Sequence, residues 1–235
     1  MKITSLQNSF IKDLVKLKTK KYRESSGTFL VEGDHLIQEL QLSGLKYQTL
    51  GLDASNDIEI TPEIAQRLSQ TKSGSISFAE VKIPQVEIPK GTRFLLCDGV
   101  QDPGNLGTMI RTAHSFGFDA VIVSDDSVDL YNDKVVRSTQ GALFHMPCIQ
   151  MNLAKAIDVL KQDNVALFAT ALSDQSLPLA SVEGSKLGFV MGSEGAGVSD
   201  AVLNLVPNHV IIETSQFESL NVAIAAAIIC YQFKK

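Results

Sequence analysis

Three stretches of the chain combine polar side chains and glycines at spacings that suit a site better than a core. In DPGNLGTMIRTAHSFG, residues 102–117, Pro103 and Gly104 turn the backbone and Asn105 is placed to cap a helix. Gly107 and Arg111 then lie one turn apart on a shared face, and a helix start behind a glycine turn offers free N–H groups to an anion. An arginine there suits phosphate or carboxylate recognition, because its planar fork meets two oxygens at once. In FVMGSEGAGVSD, residues 189–200, Gly192, Gly195 and Gly197 follow an apolar run. Their order is not the dinucleotide GxGxxG, and no lysine follows as in a P-loop. Such glycines mean that backbone passes close to a ligand or to another piece of chain. Glu194 within the turn repels phosphate and suits a hydroxyl, an amino group or an arginine. In ESLNVAIAAAIICYQF, residues 218–233, Ser219 and Asn221 open a helix whose Ala223, Ala225, Ala226 and Ala227 leave little bulk. Close packing within the domain or across a subunit interface follows from that.

The elements that must position these stretches alternate strictly from Arg93 onward. TRFLLCDGV, DAVIVSDD, VALFATAL, KLGFVMG and HVIIE read as buried strands, and helical segments separate them. Short, wholly apolar strands between helices indicate a parallel sheet covered on both faces, an α/β fold. Ligands of such sheets sit at the carboxyl ends of the strands. Asp98 onward, Thr170, Gly192 onward and Ile211 onward all fall at that edge, which is the main structural argument for one site.

The amino-terminal part reads differently. SLQNSFIKDLVKLKTKKYRESSG, within residues 1–27, is expected to form a basic helix capped at Ser9 or Asn8, with Phe10, Leu14, Leu17 and Tyr22 at helical spacing and lysines on the other face. Lys16, Lys18, Lys20, Lys21 and Arg23 then make either a solvated face or a phosphate-contacting one. GTFLVEG is a strand, DHLIQELQLSG a helix capped by Asp34 and stopped by Gly44, and TPEIAQRLSQTKSG a helix with Pro62 in its first turn. A small α/β sandwich over 28–81 follows, and the proline-bearing IPQVEIPKG at 83–91 is a linker. The expected division is 1–90, with the basic helix inside 1–27, and 91–235.

Composition narrows the class. A chain of 235 residues with 44% apolar content has ample material for a core. Its net charge of −5 hides an asymmetry. Residues 1–27 hold seven Lys/Arg against two acids, so they carry +5 and the remainder −10. Cys97, Cys148 and Cys230 lack any CxxC pairing and read as reduced core thiols. The four histidines have no ligand spacing, so no metal is expected. The longest apolar run, 222–230, is about half of a bilayer crossing, and no signal-peptide core opens the chain. A cytoplasmic protein without membrane contact is expected.

Taken together and in order, the three stretches resemble the three motifs of the SpoU–TrmH family of RNA ribose methyltransferases, within the SPOUT superfamily. The resemblance spans roughly 93–235, and 28–85 looks like that family's ribosomal-protein-like substrate-binding domain. It implies a trefoil knot in the carboxyl-terminal domain and a homodimer. It implies S-adenosylmethionine as cofactor and a ribose 2′-hydroxyl of ribosomal or transfer RNA as substrate, ribosomal RNA being favoured by the separate basic domain. By motif position, Arg111, Asn105, Glu194, Ser219 and Asn221 would be catalytic, and Thr170, Gly192, Gly195, Ile211 and Leu220 would hold the cofactor. A transfer-RNA enzyme and a non-catalytic RNA-binding member are the alternatives. The chain departs from the motif where an isoleucine–proline pair and a glycine are usual: Ile211-Ile212 and Ser215 stand there. Ser215 requires a loop without positive φ, or strain.

Overall fold

Apolar strands and capped helices alternate along the whole chain, and the computed structural model describes residues 1–173, 176–216 and 220–235. The chain divides into two units, Met1–Gln85 with Tyr131–Phe144, and Val86–Leu130 with His145–Lys235.

The first unit runs β1 (Lys2–Ile3), α1 (Ser9–Lys16), α2 (Lys20–Ser26), β2 (Thr28–Glu32), α3 (Asp34–Ser43), β3 (Tyr47–Gly51), β4 (Ile58–Ile60), α4 (Pro62–Leu68) and β5 (Ser77–Lys82). Its five strands are ordered β1-β4-β3-β5-β2. Leu30, Leu50 and Phe78 from the strands meet Ile11, Leu14, Leu17, Ile64 and Leu68 from the helices in one core. Thr61 caps α4 through its side chain and Pro62 takes the first helical position, as the residue types dictate.

Two local readings are corrected. The expected single basic helix is two: Thr19 is extended, with φ −106°, and Leu17 turns into the core instead of continuing the helix. Asp34 is the first residue of α3 rather than its cap; Gly33, with φ 105°, precedes the helix and no side chain caps it.

The second unit begins with β6 (Arg93–Cys97), α5 (Pro103–Ser115) and β7 (Ala120–Val123). The chain next supplies α6 (Asp133–Ser138), which belongs to the first unit. It then continues the second with β8 (Cys148–Gln150), α7 (Leu153–Gln162), β9 (Ala166–Thr170), β10 (Leu177–Pro178), β11 (Leu187–Met191), α8 (Asp200–Leu205), β12 (His209–Ile211) and α9 (Val222–Gln232). Among the described residues, seven strands pair in the order β10-β12-β9-β11-β6-β7-β8, every pairing parallel. The short strands β8 and β10 carry too little apolar pattern to be seen in the sequence. Phe94, Leu96, Ile122 and Val190 pack under Ile157 and Leu160 of α7 and Val202 of α8. Beyond α9, Phe233 stacks on Phe189 of β11 at 4.7 Å. All three cysteines are free and buried; burial pushes every thiol up, Cys230 to about 12, so none is reactive at neutral pH. Among the described residues, no helix is long and apolar enough to cross a membrane.

The excursion Tyr131–Phe144 supplies core to the first unit. Phe29, fully buried on β2, meets the ring of Tyr131 at 4.7 Å and that of Phe144 at 6.5 Å. Gly141 lies so close to Glu39 that an added Cβ would come within 2.5 Å of its side chain. Residues 1–85 expressed alone therefore expose a face that the whole chain covers. We expect urea unfolding of that fragment to show a lower midpoint than the same fragment with residues 131–144 fused to it. Phe29→Ala in the full chain should cost about 3–5 kcal/mol.

Candidate active site

Asp102 sits in extended conformation at the start of α5, and its carboxylate accepts from the Asn105 N–H at 2.9 Å. Pro103 takes the first helical position. Asn105 is thus not the cap; it lies inside the first turn, and its side chain is free to reach across the sheet edge. Its Nδ2 donates to Glu194 Oε1 at 3.0 Å, and its Oδ1 accepts from Asn221 Nδ2 at 3.1 Å. Asn221 is itself the cap of α9, its Oδ1 accepting from the N–H groups of Ala223 and Ile224. One amide therefore joins all three of the polar stretches.

Glu194 is held by more than Asn105. Its Oε1 accepts from the Asp102 N–H at 3.1 Å and its Oε2 from the Gln101 N–H at 3.2 Å. Partial burial pushes the carboxyl up, but the Asn105 amide and the backbone N–H groups outweigh burial and hold it below the ordinary 4.5. Its partners are thus an amide and backbone groups at a helix start, where the helix dipole also favours a carboxylate. The hydroxyl, amino or arginine partner expected from the sequence is not what it meets. An acceptor so occupied is a strap rather than a free base.

The glycine loop behind Glu194 is shaped by close approach. A Cβ on Gly192 would stand 2.0 Å from the Gly197 carbonyl carbon and 2.1 Å from the Val198 nitrogen, so no side chain fits. Ser193 and Gly197 exchange N–H···O bonds of 2.9 and 3.1 Å, and Gly197 takes φ 71°. Gly195 is exposed, with open space around it.

The strand ends fall beside this loop. In register, Val190 is opposite Ala169 and Val210 opposite Thr170, so Thr170 and Ile211 end β9 and β12 beside β11, which Gly192 directly follows. Thr170 Oγ1 donates to Val190 O at 3.0 Å. Leu220 is 40% exposed just before α9. Ser219 lies outside the described residues. Ser215 is not among the non-glycine residues with positive φ, which in the described chain are Gln140 and Asn164, so that position carries no such strain. Arg111 is exposed on α5, and its guanidinium makes no hydrogen bond or ion pair among the described residues. The expected cofactor residues Thr170, Gly192 and Ile211 thus share the carboxyl edge of the sheet, with Leu220 exposed before α9.

Sequence reasoning passed over Gln101 and Asp102, whose backbone N–H groups hold Glu194. The signal was present: an Asp directly before a proline marks a cap followed by the first helical position.

In the first unit, the five basic candidates separate. Arg23 is buried and donates from Nη1 to Leu17 O at 2.6 Å, closing the end of α1; it is not on an exposed face. Lys18 Nζ donates to Arg67 O and Ser69 O, doing the same for α4, and burial followed by the nearby Arg67 pulls its pKa down. Lys16 pairs with Asp13 at 2.9 Å and Lys20 approaches Glu24 at 3.9 Å. Lys21 is exposed.

The second unit is a parallel-sheet α/β domain with its polar cluster at the strand carboxyl ends, the architecture of a small-molecule-dependent enzyme. The sequence profile of the SpoU rRNA methylase family matches residues 92–231, and that of the MRM3-like substrate binding domain matches 8–81. The chain is 36% identical over 244 residues to a Bacillus subtilis 23S rRNA (guanosine(2553)-2′-O)-methyltransferase, covering 99% of this chain and 98% of that protein. Its structure resembles that of a TrmH-family protein from Porphyromonas gingivalis, with TM-score 0.87, 30% identity and coverage of 98% and 99%. It shares the fold of an AdoMet-bound rRNA methyltransferase from Sinorhizobium meliloti, with TM-score 0.87, 24% identity and coverage of 99% and 96%. The chain belongs to the SpoU rRNA methylase family.

Glu194→Gln tests the strap. One oxygen becomes an NH₂ facing N–H donors, and Asn105 loses its anionic partner. Because the folded carboxyl titrates below 4.5, its contribution is complete above that value and is lost as pH falls through the lowered one. The melting-temperature gap between wild type and Glu194→Gln should be widest near neutrality and close in acid. Asn105→Asp, which sets a second carboxylate against Glu194, should lower the melting temperature more than Asn105→Ala at pH 7, and the order should weaken in acid.

Proposed function

We propose that the protein transfers a methyl group from S-adenosylmethionine to a ribose 2′-hydroxyl of ribosomal RNA, with 23S rRNA as its substrate. The observation that carries this reading is the Asn105 amide bridging Glu194 and Asn221, which draws the three family motifs into one cluster. The likeness over full length to the Bacillus subtilis 23S rRNA enzyme supports the choice of RNA. Thr170, Gly192, Gly195, Ile211 and Leu220 would hold the cofactor, whose sulfonium supplies an activated methyl group when bound.

The chain's own residues then have two tasks. The first is to hold the ribose oxygen in line with the donor, and orientation of this kind can contribute about 7–11 kcal/mol. The second is to stabilise the alkoxide as the hydroxyl loses its proton. Arg111 suits the second task because its guanidinium is exposed and uncommitted among the described residues. A guanidinium has donors and no acceptor, so it stabilises charge and holds an adjacent substrate phosphate, the proton passing to that phosphate or to solvent. Ser219 is assigned to the site by motif position alone. Exposed Lys16, Lys20 and Lys21 support a phosphate-contacting face on the first unit.

A homodimer, a trefoil knot and a cytoplasmic location belong to the same reading. Ile224, Ile228 and Tyr231 are 54%, 38% and 59% exposed at helical spacing on α9, an apolar stripe suited to a second copy. β11 lies between β6 and β9, and the chain end returns over α5 through α9, an arrangement that a tucked carboxyl-terminal segment would produce.

Two measurements test this. With tritiated S-adenosylmethionine and rRNA from a strain lacking the enzyme, Arg111→Ala should lower kcat by roughly 10²–10³ while leaving cofactor Kd near wild type. Label entering tRNA in place of 23S rRNA would overturn the choice of substrate. In sedimentation velocity, Ile224→Glu with Ile228→Glu should convert a dimer to a monomer; an unchanged species would remove α9 from the interface.

A further inference from the structure

Asp98 takes part in none of the steps above, yet it is the only charged side chain buried in the second unit among the described residues, at 6% exposure. It directly follows β6 at the carboxyl edge of the sheet. Its backbone N–H donates to Met191 O at 2.8 Å, directly before Gly192. Its side-chain Oδ2 accepts from the Ser199 N–H at 2.8 Å, directly after Val198. A single residue thus clips the glycine loop at both ends, the entrance by its backbone and the exit by its carboxylate.

We propose that Asp98 is a positioning residue for the cofactor, acting through the Ser199 N–H to hold loop 192–198 in its binding shape; this rests on the reading of that loop as part of the S-adenosylmethionine site. The other restraints lie at the loop's entrance and tip: the close approach of Gly192 to Gly197, the paired bonds of Ser193 with Gly197, and the strap at Glu194. Those restraints reach as far as Gly197, and beyond it the Ser199 N–H bond to Asp98 ties the chain to the end of β6. Ser199 stands at the cap position of α8, and its N–H donates to Asp98. A hydrogen bond to a buried carboxylate is of the stronger kind, and removing the acceptor releases the Ser199 N–H from the end of β6. The exit of the loop would then relax, and the backbone groups at Gly192 with it.

The arrangement provides its own controls. Asp98→Asn keeps an oxygen that can accept the same N–H while removing the charge. Ser199 has φ −66°, the value proline imposes, so Ser199→Pro removes the N–H with the backbone unchanged in φ. Titration calorimetry with S-adenosylmethionine and steady-state methylation should be run on wild type, Asp98→Ala, Asp98→Asn, Ser199→Pro and the double variant Asp98→Ala with Ser199→Pro. Asp98→Ala and Ser199→Pro should each raise Kd and KM for the cofactor by roughly tenfold or more, with a much smaller change in kcat. Asp98→Asn should restore binding, and the double variant should be no weaker than either single one. If Asp98→Ala does not fold, Ser199→Pro carries the same expectation. Cofactor binding by Asp98→Ala equal to wild type, failure of Asp98→Asn to restore it, or additive losses in the double variant would each overturn the assignment. A wild-type protein that takes up no S-adenosylmethionine would refute the functional reading itself, and this role with it.

Discussion

The site depends on a property of the carboxamide group. An amide donates from one end and accepts at the other, so it can stand between a carboxylate and a second amide where neither a carboxylate nor an ammonium could. Asn105 occupies that position between Glu194 and Asn221, partners 89 and 116 residues away in sequence. The chain of bonds has one direction, from the N–H groups opening α9, through two amides, to the carboxylate at the start of α5. Each bond polarises the next in the same sense. Reversing either amide would set oxygen against oxygen, so the orientation of the whole cluster is determined by the charge at its end. Both helix starts thereby converge on one polar group, and each gains a partner for N–H groups that a helix cannot satisfy internally.

The sheet explains why these segments can meet at all. Seven parallel strands direct every strand-to-helix turn toward one edge, and the turns after β6, β9, β11 and β12 come from neighbouring strands. Convergence needs no unusual loop length; strand order supplies it. What the sheet does not supply is the shape of the turn after β11, and there the absence of a side chain decides. With backbone atoms about 2 Å from the place a Cβ would occupy, Gly192 permits the loop to fold back on itself and present Glu194 to α5.

Much of this was legible in the sequence because the signals were local and redundant. The apolar runs of β6, β7, β9 and β11 admit no other reading, and Thr61-Pro62 marks a helix start twice over. Legibility ended where two residues of one chemical type competed. Asp102 and Asn105 are both good caps, and only the proline after Asp102 distinguishes them. Asn221 stood beside Ser219 in the same way, and the structure gives it the cap of α9. The excursion Tyr131–Phe144 was hidden for a different reason: a segment that leaves one unit to fill the core of the other obeys the same apolar pattern as a segment that stays.

Basic residues were the least readable, because positive charge has two uses that look alike in a sequence. A helix ends in unpaired carbonyl groups, and a long cationic side chain satisfies them as readily as it contacts a phosphate. Arg23 and Lys18 are spent on the ends of α1 and α4, so the cluster of five offers Lys16, Lys20 and Lys21 to solvent. Two of these three have carboxylates nearby, Asp13 and Glu24, which an approaching polyanion would have to displace. The surplus charge of the first 27 residues therefore overstates the field that an RNA would meet there. On the proposed reading, long-range attraction is modest, and discrimination falls to shape and to the few cations, Arg111 among them, that the fold leaves uncommitted.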